Sequence, residues 1–208
     1  MSVVLTCVAV AARAAIGVVF VLATVSKLGH TARIEFRAAV TGLVPAARNR
    51  SAALLATTVI ATEWGIVVVL AIPDPVTTVA GFGLAATTLG AFTTAITAGI
   101  RRGTTTGCRC FGTSTHPVSR IQLARNLVLL AVTLTGLTAA ALTLALPAGA
   151  TVSAAGLWVA AGTGAVLGAV LTSFDELAEL FTPTPPSTTP HTATTRRSAV
   201  TGQKKRLQ

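Results

Sequence analysis

The stretch "EWGIVVVLAIPDPVTTVAGFGLAATTLGAF", residues 63 to 92, holds two apolar runs separated only by Pro73, Asp74 and Pro75. Each run belongs to a segment of about 20 mostly apolar residues, the length a helix needs to cross a bilayer. Proline lacks the backbone N–H that a helix interior requires but suits a first turn, so Pro73 ends one helix and Pro75 starts the next. The stretch therefore reads as a hairpin of two membrane helices.

Outward from this hairpin the pattern repeats. Five stretches are long and apolar enough to span a bilayer: 3–26, 52–72, 76–100, 121–146 and 151–174. Pro147 closes the fourth. Between the first two, Ile34, Phe36, Ala38, Val40 and Leu43 alternate with Arg33, Glu35 and Arg37, which predicts a short interfacial helix. Residues 175–181 read as a juxtamembrane segment. Residues 182–208, rich in Thr and Pro and then basic, have nothing with which to build a core and read as a disordered tail. The expected fold is all-α: a polytopic membrane bundle over residues 1–174, with a four-helix core and a fifth transmembrane helix.

Composition agrees. The 208 residues are 52% hydrophobic and 11% charged, with a mean hydropathy of +0.74, so a soluble fold would leave most of the apolar surface without a partner. Ala, Thr, Val, Leu and Gly dominate, as in helices that pack closely through small residues. The small-residue pairs Gly164 with Gly168 and Gly83 with Gly90 are expected to be packing contacts. A net charge of +10 raises the question of nucleic acid. The 16 Lys and Arg are not interleaved with aromatic residues that bases could stack on, so no nucleic-acid partner is expected. Residues 1–12 lack a basic start, and Arg13 interrupts the apolar run, so no signal-peptide cleavage is expected.

Charge orients the bundle. Lys and Arg number five in residues 27–50, four in 101–120 and five in the tail, with none in 73–75 or 147–150. The positive-inside rule places the three basic segments in the cytoplasm and the N-terminus outside.

Two groups of residues are candidates for chemistry. Cys108 and Cys110 lie in "GCRCFG", residues 107–112. A disulfide between residues two apart must bend the backbone to bring the Cα atoms within about 4.4 to 6.8 Å, and strained bonds belong to the labile, catalytic class. Arg101, Arg102 and Arg109 make the surroundings electropositive, which favours thiolate. Two other readings stand beside this one: incidental loop cysteines, and half a metal site with His116. The second falls short of the usual four zinc ligands, so no metal is expected. Cys7 is expected to be a small buried apolar residue. An unbroken first helix puts it about 30 Å from Lys27, out of reach of Cys110.

The second group is Arg13, Glu63 and Arg125, each within an apolar segment, where an ionised side chain costs about 2.5 to 3.5 kcal/mol. Arg125 is close enough to a helix end to snorkel. Arg13 and Glu63 sit at comparable depth and are expected to pair, either to fix helix register or to handle a proton or ligand.

The ordered set "RAAIGVVFVLATVSKL" (13–28), "GLVP" (42–45), "ATEWGIVVVL" (61–70), "GCRCFG" (107–112) and "ARN" (124–126) resembles the methylamine utilisation protein MauE family, related to the wider DoxX-like membrane proteins. The resemblance spans roughly residues 10 to 146. It implies a four-helix DoxX-like core in the bacterial cytoplasmic membrane. It also implies a role in maturation or export of the small subunit of methylamine dehydrogenase, a periplasmic protein with many disulfides, beside a thioredoxin-like partner. It makes Cys108 and Cys110 the redox-active pair and Arg13, Lys27, Glu63, Arg125 and Asn126 motif positions. Arg109 stands where Gly is usual in the family.

A disulfide-donating loop belongs on the oxidising side, whereas charge places this one inside. Either the thiols take electrons from a cytosolic reductant, or the motif is reached from the far side, or the charge rule fails here. Rival functions are a permease subunit built on Arg13 and Glu63, and a non-redox scaffold. No cofactor motif is visible, although a quinone between the helices would leave little trace in sequence.

Overall fold

A computed structural model of the chain describes residues 2–43, 49–103, 120–146 and 152–181. These form six helices: α1 (Ser2–Val25), α2 (His30–Leu43), α3 (Asn49–Ala71), α4 (Pro75–Arg101), α5 (Arg120–Ala145) and α6 (Ala154–Phe181). Five of them, all but α2, are long and apolar enough to cross a membrane. The predicted spans hold to within a few residues at every end but one. α6 continues through the segment expected to be juxtamembrane, because the run from Glu176 to Leu180 is made of good helix formers and a helix need not stop where its apolar stretch does.

The turn between α3 and α4 is built as its prolines require. Asp74 is the N-cap of α4 and accepts from the Thr77 N–H at 2.9 Å, with Pro75 at the first helical position. At its far end α4 stops at Arg102, followed by Gly103 at φ +62°, a left-handed conformation that glycine adopts without strain.

α1, α3, α4 and α5 form a closed ring in which each helix packs on the next, and α6 lies against the outside of α1. The core is where the ring closes: Ile16, Val19 and Phe20 of α1, Ile66 of α3, Phe82 and Leu89 of α4, and Leu129 of α5 are all buried. α2 packs on α3 and α4, with Phe36 and Ala39 buried.

Small residues set the distances. A side chain at Gly136 would meet Phe82 and, at 2.7 Å, the Cβ of Ala12, so α5 can approach α1 and α4 only through a glycine there. α6 crosses α1 at Gly164 and Gly168, where a Cβ would overlap the backbone carbonyls of Ala11 and Ala15. That pair is the packing contact expected. Gly83 and Gly90 are not, since a Cβ at either meets nothing within 4 Å. The close approach of α4 to α3 falls instead at Gly81, against Leu70. The many threonines fit a bilayer because their hydroxyls bond back to their own helix, as Thr24 does to Phe20 O and Thr133 to Leu129 O, both at 2.7 Å.

Candidate functional site

The deepest polar feature grows from the end of α1. Lys27 N–H bonds to Thr24 O instead of continuing the α-helical ladder, which leaves Ala23 O free to accept from the side chains just beyond it. Ser26 Oγ donates to it at 2.7 Å and Lys27 Nζ at 3.2 Å. The "SK" of the sequence thus closes the C-terminus of α1, where a cation also complements the helix dipole.

Lys27 does more than cap. Its Nζ donates to Glu63 Oε1 at 2.7 Å and Oε2 at 2.9 Å, with the two side chains only 3% and 0% exposed. The Phe36 ring lies with its centroid 5.1 Å from the same ammonium, a cation–π contact contributed by α2. One buried ion pair therefore ties together the end of α1, the short helix α2 and the middle of α3.

This corrects the expected pairing of Glu63 with Arg13. Side chains on a helix lean toward its N-terminus. From α1 that direction carries Lys27 back toward Glu63 and Arg13 away from it. Arg13 Nε donates to Leu70 O, one residue from the end of α3. The carbonyl is available because the turn beyond α3 is short of donors: residues 73 and 75 are proline, and the Asp74 N–H bonds to Ile72 O. Depth counted along the helix axes was a sound guide to neither partner, and the permease reading that rested on an Arg13–Glu63 pair loses its site.

A second polar cluster joins α4 and α5. Asn126, 1% exposed, donates from Nδ2 to Leu89 O at 2.9 Å and to Thr93 Oγ1 at 2.6 Å, while its Oδ1 is buried without a hydrogen-bond partner. Thr93 in turn donates to Leu89 O. Gln122 and Arg125 are buried beside it on the first turns of α5. Sequence reasoning singled out Asn126 and Arg125 but missed Thr93, Gln122 and Phe36. A threonine among many and an aromatic among alternating apolar residues carry no signal of their own until the facing helix is known.

Cys108, Cys110 and His116 lie outside the described residues, as does the tail from residue 182. The segment that carries the cysteines connects Gly103, just past α4, to Arg120, the start of α5. These attachment points are at the same end of the bundle as Lys27, because the ring helices alternate in direction. Cys7 is a free thiol in the second turn of α1, half-buried where full burial was expected. Among the described residues no group of three His, Cys, Asp or Glu could hold a metal ion.

A family model described as methylamine utilisation protein MauE matches residues 5–139. No curated protein and no solved structure matches the chain. The matched stretch runs from the first turns of α1 into the last third of α5 and takes in both polar clusters. It covers well over half of the 208 residues and coincides with the ring of apolar helices; the chain is a multi-pass membrane protein that belongs to the MauE family.

Proposed function

We propose that this protein supports the maturation or export of an extracytoplasmic protein by thiol–disulfide exchange at Cys108 and Cys110, in a bacterial cytoplasmic membrane. In the family such a client is the small subunit of methylamine dehydrogenase. A client thiolate attacks the Cys108–Cys110 disulfide, a mixed disulfide forms, and the second client thiolate displaces it. The client leaves oxidised and the pair is left as a dithiol. The disulfide of a thioredoxin-like partner then takes the two electrons and restores the pair.

The observation that carries this reading is the placement of the motif residues. Lys27, Glu63, Arg125 and Asn126 are buried between the middle of the bundle and the end from which the cysteine segment is strung. A buried polar anchor at the helix ends that carry the cysteine segment is what presentation of two thiols to a macromolecular partner requires.

The test is labelling with a membrane-impermeant maleimide in intact cells, on the wild type and on Cys108→Ser and Cys110→Ser. Each serine variant is expected to insert normally and to abolish disulfide formation in the client. Full client maturation by both variants would remove the redox reading and leave the scaffold. Labelling only after reduction indicates an oxidised pair open to the outside and reverses the charge-based orientation. Labelling only after the cells are opened puts the pair inside and assigns its electrons to a cytosolic thiol donor.

A further inference from the structure

At the other end of the bundle a cavity of about 730 Å³ opens between α1, α3 and the first half of α6. Its walls are apolar, with Val10, Val21, Val67 and Leu157 among them, and the one charged residue lining it is Arg13. From Val10 to Val21 the lining follows α1 for about 16 Å at 1.5 Å per residue, the proportions of a groove for a chain-like molecule. Trp158, on its rim, is 79% exposed, so the groove opens on the outer surface of the bundle.

Arg13 is satisfied only in part. Its Nε donates to Leu70 O, and its four remaining N–H groups have no partner among the described residues. Its charge has no counter-ion there either, since the ion pair described is Lys27 with Glu63 and the nearby Asp74 is committed to capping α4. Arg13 stands at the middle of α1, but its side chain leans toward the end of the bundle where a headgroup would lie. Leu70 is one residue from the end of α3, Pro73 of the following turn lines the same groove, and Trp158 is the residue type that gathers at membrane interfaces.

We propose that this groove binds one anionic phospholipid, its phosphate on the Arg13 guanidinium and an acyl chain laid along α1 toward Val21. A planar fork of N–H donors suits a phosphate. A net negative headgroup neutralises Arg13, whereas a zwitterionic lipid brings its own cation and a quinone brings no charge.

Native mass spectrometry of the full chain, purified in detergent and offered phosphatidylglycerol, phosphatidylcholine or glycerol phosphate, tests this. The wild type is expected to retain a single phosphatidylglycerol, about tenfold in preference to phosphatidylcholine, as befits charge-assisted hydrogen bonds. Arg13→Gln should bring the two lipids to parity and Arg13→Lys should keep part of the preference. Gly17 also lines the groove, and a Cβ there meets nothing within 4 Å. Gly17→Leu should therefore fill the groove, leave the fold intact and lower phosphatidylglycerol retention about tenfold, the size of a few buried methylenes; this variant decides the matter should Arg13→Gln fail to fold. Equal retention of the two lipids by the wild type, unchanged retention by Gly17→Leu, displacement of the lipid by glycerol phosphate, or a quinone held in its place would overturn the proposal.

Discussion

Arg13 and Lys27 lie fourteen residues apart in the same piece of chain and lean in the same direction, yet Lys27 meets a carboxylate and Arg13 a carbonyl. Lys27 is withdrawn from every solvent and has a full set of partners: two carboxylate oxygens, one backbone oxygen and an aromatic face. Arg13 is half-buried, with one bond among the described residues, and lines an apolar groove. A cation deep in the bundle must be neutralised by the chain itself. A cation at the rim can leave that task to what surrounds the protein.

The largest expected effect lies on the Lys27 side. Glu63→Leu strands a buried ammonium and should cost about 3 to 5 kcal/mol, read as a loss of thermal stability in detergent. The double variant Lys27→Met, Glu63→Leu should recover most of it, and a double variant as unstable as the single would show that the ion pair is not what holds α1, α2 and α3 together. Next comes the contact on the outer face of α1: Gly164→Ala forces a methyl into the Ala11 carbonyl and should cost about 1 to 3 kcal/mol through overpacking, measured the same way. Arg13→Gln removes one charged hydrogen bond at a partly exposed site and should cost about 1 kcal/mol. A loss as large as that of Glu63→Leu would erase the contrast between the two cations. The smallest change is Gly17→Ala, where open space and better helix propensity should raise stability by about 0.5 to 1 kcal/mol.

Much of the fold is legible because membrane helices announce themselves by length and hydropathy. Pro73, Asp74 and Pro75 mark the hairpin, and the alternation around Phe36 marks α2. What is not legible is sidedness. Counting along the axes gives Glu63 the wrong partner because side-chain lean separates residues of equal depth, and the spacing of Gly83 and Gly90 does not say which face of α4 meets a neighbour. The motif residues Lys27, Asn126 and Arg125 were recognisable as a set, but the reason for each became visible only with its facing helix: Ala23 O and Glu63 for Lys27, Leu89 O and Thr93 for Asn126.

The stretch matched by the family model ends at residue 139, inside α5, so α6 stands outside it. The partners described for the ion pair of Lys27 and Glu63 come from the end of α1, α2 and α3, whereas Ala154, Leu157, Trp158 and Ala161 of α6 supply one wall of the groove beside Arg13. The two features therefore differ in how separable they are. A chain cut after Ala145 keeps Lys27, Glu63 and Phe36 and loses one wall of the groove, so change in α6 reshapes what sits beside Arg13 without altering a residue of the ion pair.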